Sequence, residues 1–376
     1  MKRMNNMPSV SKYQEIVQYI KEKVENGAYA PDEHLPTEQS LAEQFHTSRP
    51  TVAKAMNRLK DMGIVSRIQG SGTFVNQSYL SVASQGTNII SVVLPFAQYR
   101  DVARLDEMNI LKGIEKCLSQ QGFFTMIRYC KDNGEDFIET IKAVKNTMSV
   151  GIIAYVAKDL MQRNEIYDLF TGEYPIVLID QPIIGIDLPC VRSDNVKGGA
   201  MAARYLVDCG YKTIYFLSDV NMPFNESIRE RYIGYCQVVQ SCKNQASFNH
   251  VLLTSQEEDD APITELVQHI LNKHAGERVG LFCTGDLFAS RIYRICLSFG
   301  CRIPDQIGIV GFDGLGVSLP DSRILTTVAQ NFYNIGKLAA STMLKRLANP
   351  ALPLDDIKAD VQLIEGDSAA PLIIKD

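Results

Sequence analysis

From residue 89 onward the chain alternates short, almost uninterrupted apolar runs with stretches of helical period, and nothing else in it restricts the fold so strongly. The apolar runs are Ile89–Phe96, Phe123–Cys130, Val150–Val156, Ile176–Asp180, Thr213–Ser218, Val251–Thr254, Val279–Thr284 and Ile307–Phe312. Helical periods lie between most of them, at Ile110–Gln121, Phe137–Met148, Lys197–Cys209, Leu287–Phe299 and Phe332–Leu347. Strands that are apolar on both faces belong in a parallel sheet covered by helices on both sides. Roughly 280 residues of such alternation exceed one sheet, so the pattern predicts an α/β body of two doubly wound lobes. Ligands of doubly wound sheets bind beyond the carboxyl ends of the strands, so a cleft between two lobes is where a small molecule is expected.

Composition narrows the class. Hydrophobic residues make up 45% of the 376 residues and charged residues 22%, enough apolar mass for large cores. No apolar run reaches the roughly 18–20 residues that cross a bilayer. The opening MKRMNNMPSVSKYQEI has no apolar core or small-residue cleavage site, so an export signal is not expected. Nine scattered cysteines without a C-x-x-C pair suggest reduced thiols in a cytoplasm rather than a disulfide scaffold or a zinc site.

The amino-terminal segment differs in charge and pattern. Residues 1–76 balance at +2, whereas the remaining 300 balance at −7. Between Thr47 and Asn76 stand Arg49, Lys54, Arg58, Lys60 and Arg67 against Asp61 alone, a small basic patch on an acidic protein. A helical period over residues 11–25 ends at Asn26-Gly27; Thr37 is placed to cap a second helix, and Ser48 to cap a third with Pro50 in its first turn. Ile64–Ile68 and Thr73–Val75 read as two strands around Gln69-Gly70-Ser71-Gly72. Helix, helix-turn-helix and glycine-bearing hairpin make a winged helix over residues 1–76, followed by a polar linker at 77–88.

In such a domain Arg49 and Thr51 begin the recognition helix, where side chains meet base edges, and Arg49 has the fork to pair with guanine. Thr37 and Glu38 begin the preceding helix, whose free N–H groups suit a phosphate. Lys54 lies one turn along the recognition helix. Gly70 and Gly72 let the wing approach a sugar-phosphate edge, where Gln69 and Thr73 can donate hydrogen bonds. The bland alternative is that these cations are merely exposed and the glycines merely close a hairpin.

Enzyme signatures are missing. The chain contains no G-x-x-x-x-G-K-[ST], H-E-x-x-H or G-x-S-x-G, and its five histidines form no ligand-spaced cluster. No catalytic residue, metal or cofactor is expected.

The segment Leu35–Val75, LPTEQSLAEQFHTSRPTVAKAMNRLKDMGIVSRIQGSGTFV, closely resembles the winged-helix signature of the gluconate-repressor (GntR) family. The resemblance implies DNA contacts at Ser48, Arg49, Thr51, Lys54, Gln69, Gly70, Gly72 and Thr73; the family often has Arg where Lys54 stands. From about Asn88 to Ser368 the chain resembles the effector domain of the lactose/galactose repressor family, itself similar to periplasmic sugar-binding proteins. Its markers are Ser193-Asp194-Asn195-Val196-Lys197-Gly198-Gly199, Arg231-Tyr232-x-Gly234, Ile309–Asp313 and Leu325–Gln330. The combination resembles the arabinose-responsive repressor type. It implies lobe 1 over about 89–209 plus 330–350 and lobe 2 over about 210–329 plus 351–368, with crossings near Gly210, Gln330 and Leu347–Pro353.

A monosaccharide offers hydroxyls and an apolar C–H face, which carboxylates, a guanidinium and aromatic rings can read. Phe96, Tyr99, Asp194, Phe224, Arg231, Asp286, Asp313 and Gln330 stand at the relevant strand ends and turns, and the resemblance assigns polar ligand positions to Asp194, Arg231 and Asp313. Gly285 occupies a position where relatives commonly carry Asn. Asp194 could equally cap a helix, and Phe96 and Phe224 could belong to cores. The reading is a homodimeric repressor of sugar-catabolism genes that binds operator DNA, with a sugar in the cleft altering that grip. A sugar-modifying α/β enzyme and a transporter's solute-binding protein are the rival readings.

Overall fold

In the computed structural model the chain divides after Asn88 into two compact units. The structure describes residues 11–25, 28–29, 34–61, 64–68, 72–76, 88–96, 105–157, 160, 166–170, 174–219, 225–253, 259–349 and 355–371.

The first unit begins with α1 (Lys12–Glu25), where Ile16, Ile20 and Val24 recur at helical spacing and are fully buried. Helix α2 (Glu38–Gln44) opens at Thr37, whose hydroxyl accepts from the Ser40 N–H at 3.2 Å. His46, in the left-handed region at φ +49°, turns the chain into α3 (Arg49–Asp61), which buries Val52, Ala55, Met56 and Leu59. Strands β1 (Val65–Ile68) and β2 (Gly72–Val75) pair antiparallel. The hairpin is tied to the segment before α2: the Leu35 N–H donates to the Thr73 carbonyl at 2.9 Å, and His34 lies against the Phe74 ring. One apolar cluster joins all three helices to the hairpin.

The second unit holds two six-stranded sheets. Lobe 1 contains β3 (Ile89–Phe96), β4 (Phe124–Lys131), β5 (Gly151–Tyr155), β6 (Ile176–Ile179), β7 (Cys190–Ser193) and β13 (Ile357–Ala359), in the order β13-β7-β6-β5-β3-β4 and parallel throughout. Lobe 2 contains β8 (Thr213–Ser218), β9 (Ser247–Leu252), β10 (Val279–Cys283), β11 (Ile307–Asp313), β12 (Thr326–Gln330) and β14 (Val361–Ile364), in the order β14-β12-β11-β10-β8-β9, with only β14 antiparallel. In both sheets the chain starts in the middle and reverses direction of growth. The switch falls between β3 and β5 in lobe 1, and between β8 and β10 in lobe 2.

Alternation along the strands supplies two cores to each sheet. On β3, Ile90, Val92 and Leu94 face the cluster containing α4 (Leu105–Ser119) and α11 (Phe332–Ala348). Val93 faces the other side, with Phe137 and Ile141 of α5 (Gly134–Lys145) and Leu169 of α6 (Ile166–Phe170). Lobe 2 is covered likewise: α7 (Asn195–Asp208) and α8 (Glu226–Cys242) lie on one face, α9 (Ala261–Lys273) and α10 (Asp286–Ser298) on the other.

The chain passes between lobes at points that differ from the expected ones. Helix α7, placed by the sequence in lobe 1, belongs to lobe 2, so the first crossing is at Asp194 rather than near Gly210. The reason is packing: its Gly198 lies under Phe312 and Val328 of the lobe 2 sheet. The second crossing follows Gln330, between β12 of lobe 2 and α11 of lobe 1. The third falls at Asp360, between β13 and β14, rather than at 347–353, because residues 357–359 complete the lobe 1 sheet beside β7.

Candidate functional site

In the first unit, the exposed start of α3 presents Ser48 and Arg49, and Thr51 is half-buried behind them. The Ser48 and Thr51 hydroxyls lie 2.9 Å apart, and the Thr51 N–H donates to the Ser48 carbonyl, so the first turn is closed by its own residues. Lys54 is exposed one turn on, its ammonium 5.4 Å from the centre of the Tyr13 ring of α1. Gly72 takes φ +112°, which favours glycine, and Thr73 follows it on β2. Gln69 and Gly70 lie outside the described residues.

Glu38 has a different task from the one expected. Its carboxylate accepts from the Arg67 guanidinium of β1, which also donates to Asn57 of α3 at 3.1 Å. Arg67 thus ties the wing to both helices, the Glu38 carboxylate is engaged by it rather than leaving the start of α2 open to a phosphate, and the Thr37 hydroxyl is engaged as a cap. The surface these residues leave exposed is that of Arg49, Ser48, Lys54 and Gly72.

In the second unit the carboxyl ends of both sheets converge. Arg231, 5% exposed on the second turn of α8, is its centre. Its Nε donates to Asn195 Oδ1 at 3.0 Å, Nη1 donates to the Thr284 carbonyl, and the guanidinium lies 3.7 Å from the centre of the Phe312 ring. Nη2 stands 3.5 Å from Asp313 Oδ1. Arg231 can be this deep because α7 and α8 cross at two glycines. A Cβ on Gly199 would overlap the Arg231 carbonyl, and one on Gly234 would overlap the Val196 carbonyl.

Asp313 ends β11 with φ +116°, and its Oδ1 accepts from Gln330 Nε2 at 2.8 Å. Gln330 Oε1 in turn accepts from the Ser193 hydroxyl at 2.6 Å, linking the end of β7 in lobe 1 to the end of β11 in lobe 2. Burial pushes the Asp313 carboxyl up to about 7, against the pull of Arg231, and neighbouring Asp286 raises it further. From lobe 1 come Asp180 and Tyr155. Asp180, at φ +75° just past β6, accepts from the Ser227 hydroxyl at 3.2 Å. Burial raises its pKa, which Arg231, Ser227, Gln181 and Tyr155 pull back. Burial also lifts the Tyr155 phenol, with Asp180, Asp106 and Asp313 adding to the rise.

Of the residues expected in the cleft, Arg231, Asp313 and Gln330 come together. Asp286 sits behind them: 1% exposed, it accepts from the Thr327 hydroxyl at 2.6 Å and the Leu315 N–H at 2.8 Å, and burial raises it to about 6. It also lines a cavity of about 430 Å³ within lobe 2, with Ser318, Arg323 and Ile364. Asp194 caps α7, its carboxylate accepting from the Lys197 N–H at 3.1 Å, which is the alternative role the sequence left open. Phe96 closes β3, but its side chain, Tyr99 and Phe224 lie outside the described residues. Asp180, Tyr155, Ser193 and Asn195 escaped the sequence reading. Asp180 had a signal: a charged residue directly after an apolar strand marks the ligand side of a doubly wound sheet.

The arrangement suits a small polyhydroxylated molecule. Two carboxylates accept from hydroxyls, one guanidinium donates, and an amide does both, at the junction of two lobes. Among the described residues no group of three His, Cys, Asp or Glu could hold a metal, and no helix is long and apolar enough to cross a membrane.

Comparison with known proteins extends this. Residues 12–75 match the family of bacterial regulatory proteins called the gntR family, and residues 203–369 match the periplasmic binding protein-like domain. The chain is 25% identical over 345 residues to an arabinose metabolism transcriptional repressor of Geobacillus stearothermophilus, covering 90% of this chain and 92% of that one. It is 23% identical to a ribose operon repressor of Halalkalibacterium halodurans, covering 87% of this chain and 94% of that one. A solved LacI family transcriptional regulator from Enterococcus faecium, with bound ribose, superposes with a TM-score of 0.58 at 22% identity, covering 76% of this chain and 99% of that one.

Proposed function

We propose that this chain, which joins a gntR-family DNA-binding head to a periplasmic-binding-protein-like body, is a one-component repressor of sugar-catabolism genes that acts in the cytoplasm. The observation that carries the reading is the cluster of Arg231, Asp313, Gln330 and Asp180 at the lobe junction, in the same chain as a winged helix with Arg49 exposed at the start of α3. Arg49 and Thr51 read base edges, Lys54, Gly72 and Thr73 serve the backbone, and Gln69 and Gly70 extend the wing. The body pairs with a second copy, so that two heads meet a pseudo-palindromic operator.

A monosaccharide, with a pentose first in order because of the arabinose and ribose repressors named above, binds one lobe arrangement better than another. Only that difference in affinity can move the heads. The described groups of the cleft accept and donate hydrogen bonds, as recognition of a polyhydroxylated ligand requires.

The test pairs a thermal-shift screen of monosaccharides with binding of the chain's own upstream DNA. A sugar specific for the native state raises the melting temperature, and adding it should change operator affinity. Arg49→Ala should abolish operator binding and keep the sugar-induced shift, while Asp313→Ala should do the reverse. Two folded variants that each lose both activities would refute the division of labour, and turnover of the bound sugar would favour an enzyme.

A further inference from the structure

Beside the cleft, but outside it, four charged residues meet across the two lobes. Arg192 of β7 and Lys358 of β13 are opposite one another in the lobe 1 sheet. Both reach a single oxygen of Glu230 on α8 of lobe 2, Arg192 Nη2 at 3.5 Å and Lys358 Nζ at 3.2 Å. The same Arg192 Nη2 is shared with Asp356 Oδ2 at 3.2 Å, and the other Asp356 oxygen accepts from the Cys190 N–H. Arg192 and Glu230 are deeply buried, with side chains 10% and 8% exposed.

The pairing is incomplete in a specific way. Arg192 Nε and Nη1 and Glu230 Oε2 are all buried and all lack a hydrogen-bond partner. A guanidinium and a carboxylate can make two parallel bonds, yet this pair uses one nitrogen and one oxygen. Unmet polar atoms away from water are costly, and a half-satisfied buried ion pair gains most from a geometry that completes it. The two partners sit on different lobes, so how fully the pair is made depends on how the lobes are placed relative to one another.

Glu230 also directly precedes Arg231, the guanidinium at the centre of the cleft. Three residues earlier on the same helix, Ser227 bonds Asp180 of lobe 1. The first turns of α8 therefore touch lobe 1 at Asp180, the cleft at Arg231, and the buried pair at Glu230. We propose that the Arg192–Glu230–Lys358 cluster is an inter-lobe latch that sets which lobe arrangement the body adopts, trading a one-bond pair for a two-bond pair as α8 moves. It deepens the effector reading by naming the bistable element that cleft occupancy biases. Glu230 is thus a positioning residue, with no contact to the effector.

The test measures lobe geometry directly, in the full chain and without DNA. Dyes are attached through unnatural amino acids at exposed Lys142 in lobe 1 and Lys273 in lobe 2, leaving the nine cysteines untouched, and single-molecule energy transfer reports the inter-lobe distance distribution. Glu230→Gln should change the population of the rarer arrangement about tenfold, within the range of a coupled charge pair. Glu226→Gln, which removes a pair with Arg229 inside the same helix, should leave the distribution unchanged. Should Glu230→Gln fail to fold, Glu230→Asp and Lys358→Met take its place and must shift the distribution in the same sense.

Superimposable distributions for wild type and the folded Glu230 variant overturn the latch. Adding 10 mM L-arabinose or D-ribose, on the order used to saturate weak sites, separates the latch from the sugar reading. A variant that shifts while neither sugar moves the wild type keeps the latch and removes those sugars. A sugar that moves wild type, while the folded Glu230 variant starts from the wild-type distribution, removes the latch and keeps the sugar.

Discussion

Asp313 and Asp180 share an uncommon backbone feature: both end or follow a cleft-facing strand with positive φ, where a non-glycine residue is disfavoured. Such conformations cost on the order of 1–3 kcal/mol each and persist where surrounding structure holds them. Here Gln330 and Arg231 hold Asp313, and Ser227 holds Asp180. The raised pKa of Asp313 has a consequence for stability. Its carboxyl binds a proton more tightly in the native protein than in the unfolded chain, so the native advantage is complete below the unfolded value and is lost as pH climbs through about 7. Asp313→Asn imitates the protonated acid and removes this loss. The variant should melt about 2–4 °C above wild type at about pH 8, the response to roughly 1 kcal/mol in a unit of this size, and the advantage should vanish near pH 4. Thermal scans at both pH values check it; a constant offset between the two proteins would contradict the assignment.

At the level of elements, α8 decides the site, because it carries Ser227, Glu230 and Arg231 on its opening turns. Its depth depends on the glycine crossing with α7. Gly234→Ala would set a Cβ against the Val196 backbone, which cannot rotate away, so the helices must separate. We expect a loss of about 1–3 kcal/mol, the range for overpacking, read as a lower urea midpoint with unchanged slope. A midpoint equal to wild type would show that the crossing is looser than described. Legibility differed between elements for physical reasons. Buried strands such as β8 and β10 announce themselves as continuous apolar runs. Strand β9 was expected at 251–254 but spans Ser247–Leu252, because an edge strand buries only part of its length and its pattern, SFNHVL, is mixed. Strand β7 was missed altogether: CVRS is four residues long and contains an arginine that can be buried because Glu230 on α8 and Asp356, just before β13, pair with it.

For the whole molecule, the basic residues of the head and the acidic balance of the remainder predict how DNA binding responds to salt. If the basic side chains of two heads together neutralise about 6–10 phosphates, operator affinity should fall by about 10³–10⁵ between about 50 and 200 mM salt. Fluorescence anisotropy across that range checks it, and a flat response would remove the electrostatic footprint from the argument. The wing remains attached to the helices through Arg67, so Arg67→Ala should weaken binding without altering the salt slope as strongly as Lys54→Ala does.

What the residues settled alone was local and periodic. Helical spacing, caps such as Thr37, and apolar runs specify elements through interactions between near neighbours, which is why the winged helix and the two-sheet body were legible in the sequence, whereas Arg231 and Asp313 were assigned by the family resemblance and Gln330 by its place at a strand end. Where the chain crosses between lobes, why Asp180 and Tyr155 join the cleft, and how Glu230 comes to be held between Arg192 and Lys358 depend on residues far apart in the chain meeting in space, as Ser193 and Gln330 do across 137 positions. Such meetings are chosen by how helices and sheets pack, where a glycine admits close approach or a buried charge finds its counterpart, and no periodicity along the chain records that choice.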